Sequence, residues 1–295
     1  MAKRALVLSG GGPVGIAWET GVAAGLAERG IDLRDADLII GTSAGSVVGA
    51  QLALGRAPAE MLAGQLARRD REGGPAGREG ERPSAPDLSG LMQVMARAWQ
   101  ADRPLEERLR EVGAFALAAK TGDEEAFVAG FRGGIADAWP EKDFRCTAID
   151  ALTGRFVVWD RSSGVPLVRA VASSCAVPGI FPPVTIDGRR YYDGGIRSAS
   201  NADLAAGAEI VLIISVGGGE GSDDPRALLA RQRIEAEIAT LREAGAKAVE
   251  LITPDSESRE AFGMNLMDSR QNPRAAESGL RQGRAEAERL RRIWG

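Results

Sequence analysis

Three short segments of the chain carry groups that could do nucleophilic chemistry. The first is Gly41-Thr42-Ser43-Ala44-Gly45, a G-x-S-x-G pattern between an apolar run and a helical one. In that setting the turn reads either as a plain Gly/Ser turn without chemistry or as a nucleophile elbow, which lifts the serine hydroxyl above the strand ends while the glycines let the backbone pass close on both sides. The following helix places its positive end at the same point. The second is Gly10-Gly11-Gly12-Pro13-Val14-Gly15. Its backbone N–H groups can form an oxyanion hole beside Ser43. Gly10, Gly12 and Gly15 also fit the dinucleotide pattern G-x-G-x-x-G. A dinucleotide site calls for an acidic residue at the end of the next strand. Here Asp35 and Asp37 precede that strand, which runs straight into the serine turn, so the oxyanion reading is the stronger. The third is Tyr191-Tyr192-Asp193-Gly194-Gly195, an aspartate at a strand end followed by two glycines.

The chain has 295 residues and no histidine. That absence excludes a Ser-His-Asp triad, a Cys-His dyad and any histidine-ligated metal. The two cysteines, Cys146 and Cys175, allow neither a disulfide framework nor a cysteine-rich zinc site. The proton acceptor for Ser43 must therefore be a carboxylate, a lysine or a tyrosine, and Asp193 is the candidate. An unperturbed aspartate, with a pKa of ~3.9, is a weak base. With no imidazole, the pH–rate profile is expected to lack a limb near ~6.5. Lys+Arg is 37 against Asp+Glu 41, a balance without the basic excess of a nucleic-acid binder.

The elements that must position these groups follow from periodicity. Ala5 to Leu8 and Leu38 to Ile40 read as short buried strands, each ending in a glycine-bearing turn. Val14 to Arg29 and Ala44 to Leu54 read as helices with small-residue stripes, Ala17, Gly21, Gly25 and Gly45, Gly49, Ala53. Those stripes suit tight packing on a sheet. Strand–helix order of this kind gives parallel βαβ units. Arg68 to Pro86 is charged and rich in Gly and Pro and reads as a surface loop. Leu88 to Trp99, Leu105 to Lys120 and Asp123 to Phe131 read as helices of an insertion over about 58–140. In the first, Leu88, Leu91, Met92, Met95 and Trp99 form an apolar stripe suited to core packing or to a lid. Phe144 to Ile149 and Arg155 to Trp159 form a hairpin. Pro166 to Ala176 and Pro225 to Glu243 are helices, Glu209 to Ser215 and Ala248 to Ile252 strands, and Pro273 to Ile293 a charged final helix. Ser173, Ser174 and Cys175 read as packing or capping residues, Cys146 as core, and Asp150 as a turn residue. Met264 to Asp268 is an apolar loop that could border an acyl pocket. The arginines of the last helix alternate with glutamates and read as a solvated face.

Taken together, the glycine triplet, the serine elbow, the later Asp-Gly-Gly and the stretch Ala172 to Val184 resemble the patatin-like phospholipases, lipid acyl hydrolases with a Ser-Asp dyad. The resemblance covers residues 4–54 and about 143–216. It implies an α/β fold, a three-layer α/β/α domain with a mainly parallel central sheet, and the element order along 1–295 reads as one such domain with a helical insertion. It implies Ser43 as nucleophile and Asp193 as base, with Gly10, Gly11 and Gly12 around the oxyanion and Gly41 and Gly45 shaping the elbow. A serine-linked acyl intermediate is released by water, with no metal and no cofactor, and the substrate is a lipid ester or phospholipid. One position departs from the family: Val14 stands where a basic residue is usual. It motivates an alternative, a non-catalytic relative that binds lipid or protein. The N-terminal apolar run is too short for a secretory signal and no stretch approaches the ~20 apolar residues of a membrane span. A cytoplasmic protein with transient contact at a membrane surface is expected, without nucleic-acid partners.

Overall fold

The computed structural model describes residues 3–67, 86–100, 102–218 and 225–294. The predicted loop over Arg68 to Pro86 lies almost wholly outside these residues. The sheet is built on β1 (Arg4–Leu8), β2 (Leu38–Gly41), β3 (Asp143–Asp150), β4 (Phe156–Trp159), β5 (Val184–Ile186), β6 (Arg189–Asp193), β7 (Ile210–Ile214) and β8 (Ala248–Ile252). Its order is β5-β6-β3-β2-β1-β7-β8, with β4 also paired to β3. The pairs β1–β2, β1–β7, β2–β3 and β7–β8 are parallel. Those involving β4, β5 and β6 are antiparallel.

Both faces of the sheet are covered, which is why its central strands are apolar throughout. Leu6, Leu8, Ile39, Leu212 and Ile214 pack on one side with α1 (Gly12–Glu28), α2 (Ala44–Ala53), α7 (Leu167–Ser174) and α10 (Asn272–Trp294). Ala5, Val7, Ile40, Val211 and Ile213 pack on the other with α8 (Pro225–Glu243). The two-residue period of β1 and β7 thus sorts alternate side chains into the two layers. Further helices are α3 (Pro58–Leu66), α4 (Ser89–Gln100), α5 (Leu105–Ala118), α6 (Glu124–Ala129) and α9 (Ser256–Phe262). The fold is α/β with a mixed, mostly parallel eight-stranded sheet flanked by helices.

Two expectations change in detail. The small-residue stripe of α1 packs against α10, not on the sheet: a Cβ at Gly21 would lie 2.2 Å from the Ala276 carbonyl oxygen, and one at Gly25 2.3 Å from that of Leu280. The contact is reciprocal, since a Cβ at Gly279 or Gly283 would lie 2.3 Å from a carbonyl oxygen of α1. The α2 stripe does meet the sheet, with Gly45 against Leu8. In α4 the buried face is Leu91, Val94 and Ala98, packed with α5, Ile149 and Tyr192, while Met92 is exposed. The α4 stripe is therefore seated on the core.

Candidate functional site

The topology of β3 brings Ser43 and Asp193 together. β4 runs along one edge of β3, pairing Cys146 with Trp159 and Ala148 with Val157. The opposite edge is shared by two strands meeting end to end: β2 reaches it with Gly41 opposite Cys146, and β6 with Asp193 opposite Ala148. One strand is parallel to β3 and the other antiparallel, so their C-terminal ends converge on Thr147. The Thr147 hydroxyl lies 3.2 Å from that of Thr42. A Cβ at Gly194 would meet the Thr147 Oγ1 at 2.3 Å, so only glycine fits directly after the aspartate. Asn201 ties the junction from the following loop, its amide donating to the Thr42 hydroxyl at 3.0 Å and to the Ser198 carbonyl at 2.7 Å.

Ser43 has φ 51° and ψ −115°, a left-handed conformation that is costly for a residue with a side chain. Several contacts hold it there. Its N–H donates to the Ser174 hydroxyl at 2.9 Å, and its carbonyl accepts from the Ser46 hydroxyl at 2.6 Å and the Cys175 thiol at 3.2 Å. Gly45 donates to the Ser9 carbonyl, and a Cβ there would lie 2.2 Å from the Leu8 carbonyl oxygen. A Cβ at Gly41 would likewise meet the α2 backbone at 2.5 Å. The Ser43 hydroxyl lies close enough to the Asp193 carboxyl to lower its pKa. Asp193 Oδ1 accepts the Gly195 N–H at 2.7 Å. Both side chains are buried. Burial drives the Asp193 pKa up to about 7 against the Ser43 hydroxyl and the Gly195 N–H, which lower it. The aspartate is consequently a far better base than its free form, because burial disfavours its charged state.

The glycine loop lies over this pair, with a Cβ at Gly10 only 3.4 Å from the Ser43 Cβ. Its N–H groups are not equivalent. That of Gly10 donates to the Ala199 carbonyl at 2.8 Å, so Gly10 shapes the loop and is withdrawn as a donor. Val14 donates to the Leu266 carbonyl. Among the described residues no protein acceptor meets the N–H of Gly11, Gly12 or Ala44. These three lie where α1 and α2 begin, so two helix N-termini add positive potential at the same place. Gly12 has φ +61°, and a Cβ there would lie 2.7 Å from the Leu266 carbonyl oxygen.

Beside Ser43 opens a cavity of about 110 Å³ lined by Gly12, Pro13, Ile16, Ala44, Phe127, Phe131, Cys175, Val177, Phe181 and Met267. Met267 comes from the apolar loop picked out in the sequence. Phe127, Phe131 and Phe181 were not singled out there, because a lone aromatic in a helix or turn carries no local sign of a pocket. Phe127 stacks on Phe181 at 4.7 Å between ring centroids. Ser174, read as a packing or capping residue, caps the elbow itself. Val14 is fully buried in the core, so its side chain does not enter the site.

Residues 6–206 match the patatin-like phospholipase family. The chain belongs to that family. An uncharacterized NTE family protein of Mycobacterium tuberculosis is 34% identical over 79 residues, 26% of this chain and 21% of the relative. The matched segment is thus about a fifth of the length of that curated relative. The crystal structure of VipD from Legionella pneumophila aligns with 98% of this chain and 67% of its own, at 15% identity and a TM-score of 0.47. ExoU of the ExoU-SpcU complex from the type III secretion system of Pseudomonas aeruginosa aligns with 97% of this chain and 51% of its own, at 20% identity and a TM-score of 0.41. The other expected features of this patatin-like chain fall into place around the site. Cys146 and Cys175 are buried, and burial raises both thiols well above their ordinary range, away from the nucleophilic thiolate. Asp150 accepts the N–H groups of Leu152 and Thr153 and pairs with Arg189 at 2.6 Å. Arg281 and Arg284 of α10 pair with Asp255 and Glu28. No helix among the described residues is long and apolar enough to cross a membrane.

Proposed function

We propose that this patatin-like chain is a serine acyl hydrolase cleaving lipid carboxylic esters through Ser43 and Asp193. The observation that carries the reading is the convergence of β2 and β6 on Thr147, which sets the strained Ser43 beside the buried Asp193, whose carboxyl burial raises to about 7. Ionised Asp193 takes the hydroxyl proton as Ser43 Oγ attacks the ester carbonyl. The developing oxyanion is received by the N–H groups of Gly11 and Gly12, with that of Ala44 beside them. Protonated Asp193 returns its proton to the leaving alkoxide, and the acyl group remains on Ser43. A water molecule, deprotonated by Asp193, then attacks the acyl-enzyme, and Asp193 returns that proton to the departing Ser43 Oγ as the carboxylic acid is released. The apolar cavity beside Ser43 receives the acyl chain.

The reading is tested with a fluorophosphonate probe and a panel of p-nitrophenyl esters and phospholipids. Covalent labelling and hydrolysis that both vanish in Ser43→Ala support it. Asp193→Asn should be equally inactive, and the double variant no worse than either, because members of one catalytic unit do not add. A wild-type chain that neither labels nor hydrolyses any ester would establish the non-catalytic alternative.

A further inference from the structure

The loop that follows Asp193 touches both halves of the site. The Ala199 carbonyl accepts the Gly10 N–H at 2.8 Å, and the Asn201 amide donates to the Thr42 hydroxyl at 3.0 Å, next to Ser43. One contact sets the glycine loop and the other the elbow. This loop needs support of its own, because Asn201 sits in the left-handed region at φ 49° and ψ 39°. The support comes from α8. Glu237 accepts three of the loop's donors: the Ser198 hydroxyl at 2.5 Å, the Ser200 hydroxyl, and the Ala202 N–H at 3.0 Å. These are alternate residues, and Ala199 and Asn201, which reach the site, lie between them. Ser198, Ser200 and Asn201 are buried. Arg197 completes the arrangement. It donates to the Asn201 side-chain oxygen at 2.7 Å, leaving the amide nitrogen for Thr42, and pairs with Asp203 at 2.6 Å.

We propose that Glu237 is a positioning residue for the site: its carboxylate clamps residues 198–202 and thereby holds the glycine loop and the serine elbow in register. The proposal rests on the hydrolase reading and adds to it a residue of α8, an element beyond the family-matched stretch. A carboxylate only accepts hydrogen bonds and offers about four lone-pair sites, so it takes all three donors at once. Without it, two buried hydroxyls and one N–H lose their acceptor, and the left-handed turn at Asn201 loses its anchor. The Ala199 carbonyl then shifts, the Gly10 N–H is released, and the N–H groups of Gly11 and Gly12 no longer converge on the oxyanion. A misplacement of about 1 Å in such a site costs about a hundredfold in rate. The clamp depends on reach and on hydrogen-bonding geometry, not on charge. A glutamine at 237 spans the same distance: its oxygen can accept from Ser200 and Ala202, and its amide can donate to the Ser198 hydroxyl. An aspartate keeps the charge but is one methylene short.

Two readouts separate this role from a merely structural one. The first is kcat and KM on a p-nitrophenyl ester. Glu237→Ala should lower kcat by about ten- to a hundredfold with KM within about twofold, the pattern of an interaction expressed in the transition state. Glu237→Gln should recover most of the lost rate, and Glu237→Asp should not. The second readout needs no substrate: amide hydrogen exchange followed by NMR. In Glu237→Ala the Gly10 amide should exchange at least about tenfold faster, while the amides of β1 keep their wild-type rates. If Glu237→Ala does not fold, the double variant Ser198→Ala/Ser200→Ala removes the same contacts from the loop side and should give the same two results. Unchanged kcat or unchanged Gly10 exchange overturns the proposal. So does faster exchange throughout β1, which marks Glu237 as merely structural. Full activity in Glu237→Asp with none recovered in Glu237→Gln also overturns it, because charge is then the operative property. A wild type that hydrolyses no ester overturns the hydrolase reading alone, and the exchange of Gly10 then decides the clamp.

Discussion

Replacing Asp193 by asparagine should stabilise the fold in a pH-dependent way while removing activity. Burial raises the folded-state pKa of Asp193 to about 7. In the unfolded chain the same carboxyl releases its proton near ~3.9. Between those values the folded state holds one proton more than the unfolded state, so stability falls as pH rises, by about 1.36 kcal/mol per unit. Stability from this group is fully present below pH ~4 and is lost across about three units, the loss reaching about 4 kcal/mol by pH 7. Above pH 7 the loss is constant. The substituted asparagine has no proton to lose, and its side-chain oxygen can still accept the Gly195 N–H. Denaturant titrations of the wild type and Asp193→Asn at pH 5 and pH 8 isolate the effect, since every other titrating group is shared. The stability difference should shift in favour of the variant by about 3 kcal/mol between the two pH values. An unchanged difference would refute the reasoning, because Asp193 would then titrate alike in both states. A shift of opposite sign would mean that the site favours the carboxylate, with the Ser43 hydroxyl and the Gly195 N–H outweighing burial.

The same pKa sets the pH–rate profile. Asp193 acts as base only when ionised, so kcat/KM should rise about tenfold per unit below pH 7 and level off above it; a flat profile between pH 5 and 8 would exclude Asp193 as the base. Hydrolysis should be insensitive to EDTA, because backbone N–H groups receive the oxyanion, and loss on chelation restored by calcium or zinc would contradict that chemistry. Gly279→Ala should destabilise the protein by about 1–3 kcal/mol, because its Cβ would lie 2.3 Å from the Trp18 carbonyl oxygen and α1 and α10 would have to part. Thermal unfolding within about 1 °C of the wild type would show that the two helices are not held this tightly.

The sequence by itself determined the parts of this protein whose signals are local. The run Ala5 to Leu8, the elbow at Ser43 and the glycines beside it are readable because a strand–turn–helix crossing at close range tolerates few residue types. The missing histidine, a matter of counting, led to Asp193. The helices of the insertion were legible from period alone. What only the tertiary structure decided depends on groups far apart in the chain. The convergence of β2 and β6 on one edge of β3 joins residues about 150 positions apart. The strength of Asp193 as a base comes from burial, which no neighbouring residue encodes. Gly10 loses its donor to Ala199, some 190 residues away, so the triplet alone could not say which N–H groups remain free. Val14, conspicuous in the motif, is core. The apolar cavity beside Ser43 takes Phe127 and Phe131 from the insertion and Met267 from a distant loop. Local patterns specify which elements form, because backbone geometry and periodicity act over a few residues. Pocket shape, hydrogen-bond availability and pKa are set by packing between elements, and emerge only once the layers close.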